Sequence, residues 1–224
     1  METIYVKNKR QLADLITPVG LYLKIRDLSY HPFLLESSDY HGETDSYSFI
    51  CFQPLAEVQV QNGRLRTWYQ NKQTQDYYPG NIPDAVYAFM QSFQIEGDPL
   101  HHLNGFFGYF AFDSVRYFEN IELSEEAEVP EIQFTLFRNI IAINHYRNET
   151  TLIENLPKGA GSQMDFLSDL LTNKNFTPFP FETNGAIQSN LSDTDYEGMV
   201  KKAREHCQRG DVYQMVLSRR YEQP

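Results

Sequence analysis

Residues that do chemistry are thinly spread along this chain, and none falls into a self-sufficient catalytic spacing. There is no Gly-x-Ser-x-Gly elbow, no His-Glu-x-x-His pair and no phosphate loop with its lysine. Such spacings matter because each places a nucleophile, two metal ligands or a row of backbone N–H groups where a reaction needs them. His101 and His102 are adjacent and follow Pro99. Neighbouring side chains on an extended chain point to opposite sides, so the pair makes a poor metal clamp. Gly105 and Gly108 flank two phenylalanines in a pattern like a phosphate cradle, but no lysine follows. Glycines so placed instead permit close approach of neighbouring strands. Cys51 and Cys207 lie far apart and form no Cys-x-x-Cys pair. Neither a zinc site nor a disulfide framework is suggested, and a reducing cytoplasm is the expected setting.

The elements that must position any site can be read from composition and pattern. Hydrophobic residues make up 41% of the 224, and Tyr and Phe dominate the aromatics. That favours a β-rich body with a real core. The formal net charge of −11 repels phosphate backbones, so no nucleic-acid partner is expected. The first twelve residues are polar rather than signal-like, and no run of apolar residues is long enough to span a membrane.

Residues 20–25 and 33–37 read as short strands, as do residues 47–52, stopped by Pro54. Residues 56–69 read as a hairpin around Asn62-Gly63. Pro83 opens a helix to about Phe93, and 105–112 reads as a buried central strand. A second hairpin, 132–146 with 150–156, precedes a short helix at 163–172. The acidic run Glu119–Glu131 reads as a solvated loop. The domain reading is a first domain over 1–175, a linker over 176–190 and the start of a second domain over 191–224. That start opens on a capping-box-like Ser192 and Asp195. Tyr196, Val200, Ala203 and Cys207 form one helical stripe, and Gly210 sits as a C-cap before an expected strand over 211–221.

Three segments carry a resemblance. They are Ala13–Lys24 with Phe33–Ser37 and Tyr47–Ile50, then Gly105–Glu119, then Gly210–Arg220. In this order and spacing the chain resembles anthranilate synthase component I, of the chorismate-using enzymes. The resemblance implies an α+β fold of antiparallel, sandwich-like sheets with peripheral helices, cut before most of the catalytic domain. It implies that the first domain holds part of a tryptophan feedback site, with Glu36 and Ser37 as its matching residues. Leu34 and Leu35 alternate across the strand, so one can face the core while the other flanks the pocket. A basic residue common in relatives just before the Tyr-Ser-Phe-Ile segment is Ser46 here, and no Lys or Arg occurs from Ser37 to Gln61.

The resemblance also bears on reaction type. Water-adding relatives carry a lysine base where this chain has Gln214, and ammonia-using relatives carry glutamine. A neutral amide is no general base, so Gln214 points to amination. The whole enzyme would act on chorismate with Mg²⁺, releasing pyruvate, and would take ammonia from a glutamine amidotransferase partner, component II. L-Tryptophan would be its inhibitor. The 224 residues alone are expected to hold no metal and to be inactive, and the expected terminal strand, lacking its neighbours, suggests a homodimer. The alternatives are aminodeoxychorismate synthase component I and a non-catalytic ligand-binding or interaction module.

Overall fold

The computed structural model describes residues 1–13, 17–36, 46–70, 72–77, 80–97, 100, 102–121, 127–172 and 182–224. The chain divides into two units, Met1–Thr177 and Pro178–Pro224. The first holds strands β1 (Glu2–Leu12), β2 (Phe33–Glu36), β3 (Tyr47–Gln61), β4 (Arg64–Tyr69), β5 (Lys72–Tyr77), β6 (Phe93–Gly97), β7 (Phe106–Phe110), β8 (Ile132–Asn144) and β9 (Glu149–Pro157). Its helices are α1 (Pro18–Ile25), α2 (Ile82–Gln91) and α3 (Met164–Thr172), with a 3₁₀ turn at Phe112–Tyr117. The second holds β10 (Gln188–Ser189), α4 (Asp193–Arg209) and β11 (Tyr221–Glu222).

The nine strands of the first unit form one sheet in the order β5-β4-β3-β8-β9-β1-β6, with β2 beside β3 and β7 beside β8. Pairing is antiparallel except between β1 and β6. β8 is central because its residues are apolar on both faces: Leu136, Phe137, Ile140 and Ile141 are all fully buried. One face packs Ile50, Ile141 and Leu152 beneath Leu21 and Ile25 of α1 and Leu167, Leu170 and Leu171 of α3. Each such buried Leu or Ile contributes about 1.5–3 kcal/mol. On the other face the sheet curls over itself. Ile4 of β1, Ala56 of β3 and Leu136 of β8 share a cluster that Phe93 and Phe106 close. The fold is α+β, largely antiparallel, with peripheral helices, as the resemblance implied.

Four local expectations change. Residues 20–25 belong to helix α1, because Thr17 caps it by accepting the Gly20 N–H at 3.1 Å and Pro18 suits its first turn. Pro54 does not stop β3. A bulge carries the strand past it, with Gln53 at φ 58 donating its N–H to Ser29 Oγ at 2.8 Å. Segment 105–112 is not a buried central strand. β7 pairs only with β8 among the described strands, and Phe110 is 54% exposed. The strand expected over 211–221 shrinks to Tyr221–Glu222, paired with Gln188–Ser189. Arg219 holds the chain there, through Ser189 Oγ at 2.7 Å and Asp193 Oδ1 at 2.6 Å, with its guanidinium over the Tyr221 ring. Residues 212–220, the strand from which a homodimer was expected, are irregular in this unit.

Other features follow the pattern. Asn62 and Gly63 take φ 51 and 73, as a tight hairpin needs. Ser192 and Asp195 form a reciprocal capping box, and Gly210 ends α4 at φ 81. The stripe Tyr196, Val200, Ala203 and Cys207 lines a cavity of about 480 Å³ with Met215 and Leu217, yet no residue of α4 is buried. Among the described residues no helix is long and apolar enough to cross a membrane.

Candidate functional site

The end of the β2–β3 ladder is where sheet geometry gathers polar side chains against an apolar floor. β2 lies on β3 with Leu34 opposite Ile50 and Glu36 opposite Ser48. Leu34 packs against the cluster beneath α1, while Leu35 points to the other face and is 39% exposed. Glu36 is exposed at the strand end. Ser37, its expected partner in the site, lies outside the described residues.

Directly paired residues of antiparallel strands share one face. Glu36, Ser48 of β3, Ile143 of β8 and Thr150 of β9 therefore form a row across the sheet. Ser48 and Thr150 are fully buried. The Ser48 Oγ lies 2.7 Å from His145 Nε2, and the His145 N–H donates to the Ser46 carbonyl at 3.0 Å. Thr150 Oγ1 has no hydrogen-bond partner among the described residues. A buried unpaired hydroxyl costs roughly 1–3 kcal/mol, so Thr150 is an uncompensated polar group in an otherwise apolar stretch of the sheet. Sequence reasoning missed Ser48, His145 and Thr150. Their one signal was polar residues at inward positions of otherwise apolar strands.

Gln214 lies in the second unit, exposed, in the irregular stretch between α4 and β11. The structure thus places Glu36 in the first unit and Gln214 in the second. His102 is exposed, and His101 lies outside the described residues. Among the described residues no group of three or more His, Cys, Asp or Glu side chains can hold a metal ion.

The segment Gly105–Glu119 is built for architecture. A Cβ added to Gly108 would sit 1.8 Å from the Gln133 carbonyl oxygen, so only glycine lets β7 close onto β8. Arg116 pairs with the fully buried Glu131 at 3.0 Å, and the Tyr117 hydroxyl donates to Glu131 at 2.6 Å. Glu131 also accepts the Asn62 N–H at 2.8 Å, and Tyr117 accepts the Gly63 N–H at 3.0 Å. Glu131 is therefore the anchor of the β3–β4 turn, where the acidic run predicted a solvated carboxylate. Burial, then the bond to Glu131, pushes the Tyr117 phenol up to about 12. An apolar groove of about 690 Å³ lies nearby, bounded by Val86, Met90, Phe93, Phe106, Phe110 and Phe134.

Fold and site together define a class: a largely antiparallel α+β domain around one long central strand, joined to a small helical unit. The model of the chorismate binding enzyme family matches residues 30–224. The chain belongs to the chorismate-binding enzyme family. It is similar to the anthranilate synthase alpha subunit 1, chloroplastic, of Oryza sativa subsp. indica, at 25% identity over 94% of this chain and 43% of that protein. It is likewise similar to anthranilate synthase component 1 of Thermus thermophilus, at 26% identity over 100% of this chain and 49% of that protein. The crystal structure of anthranilate synthase component I from Streptococcus pneumoniae TIGR4 superposes with a TM-score of 0.55 at 21% identity, covering 95% of this chain and 48% of that one. That likeness bears on the fold. The chain spans about half the length of the curated relatives it matches.

Proposed function

We propose that this chain corresponds to the first half of an anthranilate synthase large subunit and carries part of a tryptophan feedback site at the end of β2. The observation that carries the reading is the row Glu36, Ser48, Ile143 and Thr150, where an exposed carboxylate and two buried hydroxyls meet an apolar floor. A free amino acid needs that combination: polar partners for its charged head and an apolar wall for its ring. Charge-assisted hydrogen bonds from Ser37 to the head would contribute roughly 1.5–3 kcal/mol each. Gln214 supports amination rather than hydration of the ring, because an amide cannot activate water as a base.

In the larger protein the substrate would be chorismate, and ammonia would come from a glutamine amidotransferase partner. Mg²⁺ would serve that enzyme, but the described side chains offer it no ligand cluster, so none of this chain's own chemistry is assigned to it. The free thiols of Cys51 and Cys207 support a cytoplasmic setting. The test is a comparison in the larger enzyme. Ser37→Ala should relieve tryptophan inhibition and leave uninhibited turnover near normal, and unchanged inhibition would reduce Ser37 to a strand end.

A further inference from the structure

We propose that the aromatic groove beside α2 and β7 is a binding site for a neutral, planar aromatic molecule that hydrogen-bonds to Asn104. The groove shares no residue with the row that begins at Glu36, so this proposal stands or falls apart from the amino-acid site.

Size and walls suit a small molecule. The groove holds about 690 Å³, inside the roughly 300–1,000 Å³ range of small-molecule sites. Its rings hold one another in place. Phe110 of β7 meets Phe134 of β8 edge to face at 5.0 Å and Phe118 at 5.8 Å, and Phe93 of β6 meets Phe106 of β7 at 5.6 Å. Such contacts fix the ring planes, so the walls are formed before any ligand arrives. Tyr87, Phe110 and Phe118 still leave 62%, 54% and 55% of their surface exposed. Several solvated rings around one groove are apolar surface that a flat aromatic guest would cover.

The polar groups say what kind of guest. Asn104 lines the groove and exchanges two amide hydrogen bonds, at 2.8 and 2.9 Å, with the fully buried Asn155. Asn155 also donates to the Phe137 carbonyl at 2.8 Å, which locks the pair. An amide has two N–H groups and two acceptor lone pairs, so Asn104 keeps one of each for a ligand. Among the described residues none that lines the groove is charged. The charged residues next to them in sequence, Asp84, Glu96 and Glu119, are all acids. An ionised carboxylate would lose its water there and meet no cation. Charge complementarity therefore selects an uncharged ring bearing a hydroxyl or N–H and rejects aromatic acids.

The experiment titrates the full chain with 2-naphthol near neutral pH and follows side-chain methyl signals by NMR. Val86, Met90, Ile95 and Leu136 should shift saturably, while Leu167 and Leu171, packed under α3, should not. 2-Naphthoate, the same rings with a carboxylate, should bind at least about tenfold more weakly. Asn104→Ala should weaken 2-naphthol by about threefold to tenfold, the worth of one hydrogen bond, and Phe110→Ala by a similar factor. Equal affinity for the two probes overturns the proposal, as do shifts at neither set of methyls or equally at both. Groove signals that move with protein concentration alone would make the groove a contact between copies and also overturn it. Should Asn104→Ala fail to fold, the comparison of the two probes on the unaltered chain decides.

Discussion

Glu131 lies fully buried at the end of an acidic run, and its environment sets clear consequences for substitution. Its carboxylate gathers Arg116, the Tyr117 hydroxyl and the Asn62 N–H. Glu131→Ala would take away the acceptor of the half-buried Tyr117 hydroxyl and of the Asn62 N–H, at roughly 1–3 kcal/mol, because a donor left without its acceptor keeps its desolvation cost. Denaturant melts of the variant should show that loss. Tyr117 adds a pH dependence of known sign. Its ordinary value is 10.0 and its value here is about 12. A raised value contributes stability that is complete below pH 10 and is lost as pH climbs through about 12. Burial raises Tyr69 and Tyr109 in the same direction, so Tyr117→Phe should make the alkaline loss shallower without abolishing it. Thermal melts between pH 8 and 12 would measure the difference. The same residues mark how far a site can be read from sequence. Glu36 was singled out by the family resemblance of its segment, whereas Glu131 looked like one more surface glutamate. Its burial depends on Arg116 and Tyr117, fifteen and fourteen positions away in the 3₁₀ turn after β7, and no local pattern encodes that. His145 and Ser48 are farther apart still, 97 positions, and meet only through β-pairing.

Elements whose signals are local were legible, and those decided by tertiary partners were not. The Asn62-Gly63 hairpin, the β8–β9 hairpin and the caps of α4 are fixed by nearby residues, and each forms where its residues point. The run Leu21-Tyr22-Leu23 suggested a strand, yet the Thr17-Pro18 start makes it α1, because a cap and a fixed φ outweigh a short apolar alternation. β1 was invisible because most of its residues are exposed and only Ile4 and Val6 are buried. Segment 212–220 shows the converse. Its alternation of Tyr213, Met215 and Leu217 is strand-like, but a strand needs a neighbour to take its N–H and C=O groups. Two substitutions test one strand contact and one local cap. Gly108→Ala should push β7 off β8 and cost about 3 kcal/mol, since the clash is with backbone rather than a movable side chain. Ser192→Ala should remove half the capping box of α4, cost about 1 kcal/mol and fray its first turn in hydrogen exchange.

At the scale of the whole molecule, the first unit contains a continuous core of its own, and the second contains a helix with no buried residue. Deleting residues 178–224 should therefore leave the first unit folded, with its melting transition essentially unchanged by circular dichroism. A collapsed transition would show that the first unit depends on the deleted segment. The chain alone is also expected to yield no Mg²⁺-dependent anthranilate fluorescence from chorismate, and a signal would overturn the assignment of the reaction to the larger protein. The sheet order has a further consequence, for synthesis. β1 is synthesised before both of its neighbours, β6 and β9, and its Ile4 pairs with Pro157. At roughly 5–20 residues per second, about 150 residues of translation take on the order of 8–30 s. Through that interval Ile4 and Val6 have the parallel edge of β6 as their earliest partner and no antiparallel one. The nascent chain must therefore keep Ile4 and Val6 from pairing elsewhere until β9 has cleared the exit tunnel.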